Sequence, residues 1–247
     1  MAIWSDPRDQ ASAFSPSTVD IGGRVDAGLR SYMLSVYNYM ASGVALTGVV
    51  AMLFARSGYA QTLVGANGGL SGLGLLFAFA PLAFVLVLSF GINRISTGTA
   101  QLLYWAYAAI MGVSLSTIFL AYTGASIATT FFATAGAFAG LSLYGYTTKK
   151  DLSGWGTFLI MGVVGIIIAS LINMFVQSSM MAMIISIIGV LLFAGLTAYD
   201  TQKIKSMYYQ VAGTDFFGKA VVMGALTLYL DFINMFLFLL RFIGDRR

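Results

Sequence analysis

Apolar residues run through this chain in seven long blocks, separated by short polar breaks that hold most of its lysines, arginines and aspartates. A helix needs roughly 20 consecutive apolar residues to cross a hydrocarbon core. The blocks reach that length at Tyr32–Phe54, Leu73–Ile92, Ala100–Leu120, Ile127–Tyr146, Thr157–Val176, Met181–Asp200 and Ala220–Leu240. The pattern predicts an all-α membrane protein with seven transmembrane helices, residues 32–247 forming a single domain. Residues 1–31 break it. They carry Arg8, Arg24, Arg30 and four aspartates, with Pro7 and Pro16, and lack the apolar core and cleavage site of a signal peptide. They read as a polar, disordered tail.

Composition narrows the chemistry. At 59% hydrophobic and 9% charged residues, with mean hydropathy +0.87, the chain carries more apolar surface than one soluble core can hide. Cysteine and histidine are absent, which removes disulfides, thiolate chemistry and zinc ligation. Glutamate is absent too, so nine aspartates are the only acids. Ser-His-Asp and Cys-His catalysis are excluded, and the chain reads as no enzyme, with no cofactor. The basic residues show no aromatic-interleaved patch of the kind that binds nucleic acid.

Lysine and arginine set the orientation. With the N-terminus inside, Arg8, Arg24, Arg30, Arg94, Lys149, Lys150, Lys203, Lys205 and Lys219 fall inside, and Arg56, Arg241, Arg246 and Arg247 fall outside. Nine against four places the N-terminal tail in the cytoplasm. The three C-terminal arginines oppose this, and re-entry of the last segment in place of a full crossing would satisfy them.

Two aspartates lie in the last two blocks, Asp200 at the end of the sixth and Asp231 in the middle of the seventh. A carboxylate in hydrocarbon costs several kcal/mol unless protonated, paired or hydrated, so both are candidate functional residues. Asp231 lies about 16 Å into its helix, too deep for so short a side chain to reach water. Asp200 has a simpler alternative, as a helix-end acid neutralised by Lys203 or Lys205. On the seventh helix Gly224, Thr227, Asp231 and Asn234 share one stripe, and on the sixth Ser186, Gly189, Thr197 and Asp200 do the same. Two polar faces on consecutive antiparallel helices can meet, provided the sixth helix runs beyond Ile204 or the seventh begins after Ala220. Elsewhere, Gly136 and Gly140 with Ala133 and Ala137 form a small face suited to close helix packing.

The stretch 195–204, GLTAYDTQKI, resembles the signature of the transmembrane Bax-inhibitor-motif family, and 225–236, ALTLYLDFINMF, resembles its last-helix motif. The stretch 100–105, AQLLYW, followed by Gly112, Ser114, Leu115 and Ser116, is similar to its third-helix pattern. The resemblance implies seven helices with the last one central and wrapped by the other six. It implies a pH-sensitive calcium leak in a bacterial inner membrane, in which Asp200 and Asp231 form a hydrogen-bonded pair engaged by Arg94 from the second helix. It also implies an alternative, a non-transporting modulator of a membrane-anchored ATP-dependent protease.

Joined to the residues, the resemblance yields a mechanism. Two carboxylates in one desolvated site compete for a single proton and titrate as a coupled pair. Losing that proton leaves two like charges that push the helices apart, opening a path lined by Thr197, Thr227 and Asn234. Oxygen ligands suit calcium, but two acids are too few for a tight cage, so occupancy is weak and transient. The expected partners are the lipid bilayer, calcium and protons. Intramembrane aspartyl proteolysis is the weaker reading, because Leu228-Tyr229-Leu230-Asp231 lacks the glycines of a Gly-x-Gly-Asp motif.

Overall fold

The protein's structure, a computed structural model, describes residues 18–65 and 69–247, with side chains from residue 27 onward. Helix α1 spans Thr18–Arg56 and α2 spans Gly72–Gly91, with a 3-10 turn, Tyr59–Leu63, between them. Helix α3, Thr97–Leu115, is prolonged by the short α4, Ile118–Ala121. The rest are α5 (Gly124–Thr147), α6 (Trp155–Val176), α7 (Ser179–Val211) and α8 (Phe217–Ile243). With α3 and α4 taken as one span, seven helices among the described residues are long and apolar enough to cross a membrane. Their outer surface demands one. Phe90 on α2 and Phe175 on α6 are each 82% exposed amid rows of exposed leucine and isoleucine, a surface that water would not tolerate.

The last helix is the most enclosed. About two-thirds of its apolar window is buried, and α7, α1, α5 and α3 pack on it, while α2 lies mainly on α3 and α6 on α7. The packing accords with the central position expected for α8. Its polar stripe therefore faces neighbouring helices rather than water. Tyr104, Tyr107 and Tyr229 are fully buried and meet edge to face, with ring centres of Tyr107 and Tyr229 5.3 Å apart.

Three expectations change. Helix α1 begins at Thr18, so residues 18–31 are helical rather than a disordered tail; residues 1–17 lie outside the described residues. Leu29 and Tyr32 are buried, and the Tyr32 ring packs 5.6 Å from that of Tyr208 on α7, so the helix is held beyond the point where its apolar block starts. The sixth span continues to Val211, because Thr201, Ile204, Tyr208 and Val211 keep a buried stripe at helical spacing while Lys203 stays outside. A count of uncharged residues stops at Asp200 and misses this amphipathic extension. Finally, Ala133, Gly136, Ala137 and Gly140 are all exposed on α5. The close approach comes instead at Gly145, whose missing Cβ would stand 3.0 Å from Ala198 Cα and closer still to its carbonyl oxygen. A glycine at that position lets α5 lie against the α7 backbone beside the buried acids.

The last segment crosses rather than re-entering. The backbone N–H of Arg247 donates to the Ala121 carbonyl at 3.0 Å, and that of Thr123 to the Asp245 carbonyl at 3.1 Å. The chain end is thereby tied to the α4–α5 junction, on the same side as Arg56 and opposite the loop from α7 to α8.

Candidate site at the contact of the last two helices

The register of α7 against α8 can be read from two contacts. A Cβ on Gly224 would meet the Ile204 side chain at 3.2 Å, and one on Gly189 would meet the Phe238 ring at 2.6 Å. Between them, Asp231 lies two turns beyond Gly224 and Asp200 about one turn before Ile204, which turns both acids into the shared interface. Asp200 is 8% exposed and Asp231 4%. Their carboxyl groups are within hydrogen-bonding reach of each other. Measured from the loop that joins the helices, Asp200 stands about 16 Å along α7 and Asp231 about 21 Å along α8. The conflict of depths in the sequence therefore resolves through the longer α7. Asp200 is no helix-end acid.

The geometry carries a chemical requirement. An ionised carboxylate only accepts hydrogen bonds, so a bond between two carboxyls exists only when one of them holds a proton. Among the described residues, no donor from outside the pair reaches the buried Oδ2 of Asp231.

The remaining candidates are less closely gathered. Thr197 is fully buried and its hydroxyl donates to the Phe193 carbonyl at 2.8 Å. Thr227 donates to the Met223 carbonyl at 3.0 Å, and Asn234 Nδ2 to the Leu230 carbonyl at 2.8 Å. Each bonds a carbonyl of its own helix, and two cavities between α1 and α5 do not reach them. Arg94 is exposed in the turn after α2, and the structure does not bring it to the pair. The cation whose charge acts on Asp200 is Lys203, one turn further along the same helix. Among the described residues, no group of three or more acids forms a metal cage.

The matches to known proteins fit this arrangement. A family profile described as "Inhibitor of apoptosis-promoting Bax1" covers residues 29–247, which include every helix from Leu29 on and both acids. The chain belongs to the Bax inhibitor family. Among Bax inhibitor family relatives, an uncharacterized protein of Rickettsia prowazekii is 50% identical over 90% of this chain and 92% of its own length. Another, from Caulobacter vibrioides, is 46% identical over 90% of this chain and 92% of its own. The "Inner membrane protein YbhL" of Escherichia coli K12 is 48% identical over 90% of this chain and 94% of its own.

One feature of this Bax inhibitor family chain escapes the sequence. The Thr47 hydroxyl donates to the Ala108 carbonyl at 2.8 Å, which commits its only proton. The contact of 2.7 Å to Tyr229 is therefore donated by the tyrosine. This links α1, α3 and α8 two residues from Asp231.

Proposed function

We propose that the protein is a pH-sensitive calcium leak of a bacterial inner membrane, held shut by one proton shared between Asp200 and Asp231. The observation that carries this reading is the pairing of two buried carboxyls across the contact between α7 and α8, at a depth where neither is freely hydrated. With the proton present, the pair ties the two helices together. When it leaves, two negative charges face each other in a poorly hydrated contact and the helices separate. Thr197, Thr227 and Asn234, which satisfy themselves on their own helices in the closed arrangement, then become ligands along the opened contact. Calcium passes as cargo, its charge offsetting that of the carboxylates, and it is held weakly because two acids make an incomplete shell.

The sign follows from the proton count, and flux rises as pH rises. Protein reconstituted alone in liposomes loaded with a calcium-sensitive dye should show that rise. A flux indistinguishable from protein-free vesicles at every pH defeats the reading.

A further inference from the structure

Helices α1 and α5 both pack on α8 without closing on each other, and the gap between them is open to the lipid side. One cavity of about 660 Å³ occupies one half of the gap, with Arg30 at its end. A second, of about 840 Å³, occupies the other half, with Arg56 and Arg247 among its lining residues. Val44, Ala45, Phe131 and Phe232 line both, so the two form one groove floored by α8. Its walls are apolar along the middle and cationic at the ends. Extended hydrocarbon chains fit the apolar middle of the groove, and its cationic ends complement an anionic headgroup.

The mouth at Arg56 and Arg247 is built rather than incidental. Besides the two backbone bonds that tie the chain end to the α4–α5 junction, the Arg246 guanidinium lies 5.9 Å over the Tyr122 ring. A Cβ on Gly244 would meet that ring at 2.9 Å, so the turn that brings Arg247 to the groove needs a glycine. Asp245 is the acid beside it, and its backbone N–H donates to the Ser126 hydroxyl at 2.9 Å. Arg56 and Arg247 are both exposed at the end of this apolar groove, where their guanidinium groups are free to meet an anion.

We propose that this groove binds a phospholipid with an anionic headgroup, an acyl chain lying in the cavity of about 840 Å³ and the headgroup phosphate held by Arg56 and Arg247. The site is separate from the aspartate pair and stands or falls independently of the leak. A lipid wedged between α1 and α5 braces two of the four helices that wall α8.

The test uses the full chain in nanodiscs of phosphatidylcholine doped with phosphatidylglycerol that carries a photoreactive group on its acyl chain. Peptide mapping should place the label at groove residues such as Val44, Ala128 and Phe232, saturating at a low mole fraction. Unlabelled phosphatidylglycerol should compete and phosphatidylcholine should not. Each arginine contributes about fivefold at an anionic headgroup, so Arg56→Gln with Arg247→Gln should weaken competition by about 30-fold. Ala45→Trp, which fills the groove where the two cavities meet, should abolish groove labelling while outward positions on α6 label as before. If the double variant does not fold, Arg56→Gln alone gives the fivefold step. Labelling equal on the groove and on outward α6 residues such as Ile167, or without headgroup preference, means ordinary surrounding lipid and overturns the proposal. So does photocrosslinking in native membranes that captures a protein helix there instead of lipid.

Discussion

Replacing Asp231 by Asn tests the gate at its weakest point. The substitution keeps the shape of the side chain and offers Asp200 an amide N–H in place of the shared proton, a bond that no rise in pH can remove. In the wild type, loss of that proton leaves two charges about 4 Å apart, which repel by about 4 kcal/mol at an effective dielectric of 20. The variant never meets this repulsion. At alkaline pH its closed form should therefore be favoured over the wild type's by about a thousandfold, since each 1.4 kcal/mol is a factor of ten. In liposomes loaded with a calcium dye and stepped through external pH, wild-type flux should climb while Asp231→Asn stays low and flat. Asp231→Ala removes the partner altogether and leaves the Asp200 carboxyl buried and alone, which costs about 1–3 kcal/mol of stability. That variant should leak at all pH values and unfold at lower temperature. If Asp231→Asn and Asp200→Asn both keep the wild-type pH profile, the shared proton is not the gate, whatever the distance between the carboxyls.

Other expectations follow from single contacts. Lys203→Gln, which removes the charge acting on Asp200, should move the midpoint of the pH response, whereas Arg94→Gln, in an exposed turn, should leave it in place; the reverse order would restore Arg94 to the site. Gly145→Ala drives a methyl into the Ala198 backbone and should cost about 1–3 kcal/mol in thermal unfolding in detergent, while Gly140→Ala, which meets nothing within 4 Å, should be near neutral. Thr47→Val strands the buried Tyr229 hydroxyl and should lower stability by about 1–3 kcal/mol, with Thr47→Ser close to wild type; equal melting of all three would show the bond contributes nothing.

Seven crossings and the two buried acids were legible in the linear order of residues because both rest on local quantities. A run of about 20 apolar side chains has one cheap environment, and a carboxyl far inside such a run is costly wherever its helix lies. The motif at 195–204 pointed to the family before any contact was known, and the matched profile over residues 29–247 agrees with it. The ends of α1 and α7 were not legible, since hydropathy measures fit to hydrocarbon and not helix hydrogen bonding. Both helices run on through charged turns, α7 because Ile204, Tyr208 and Val211 still have helices to pack on. The same blindness sent the small-residue stripe of α5 to a helix contact that it does not make within this chain.

Partner choice belonged to the tertiary arrangement alone. Nothing local to Asp200 states that it lies opposite Asp231, and nothing local to Arg247 states that it closes a groove begun by Arg56. These pairings join residues that are neighbours only after α8 has been enclosed by α1, α3, α5 and α7. Burial penalties can be read one residue at a time, but the contacts that relieve them depend on which helix faces come together, and packing settles that.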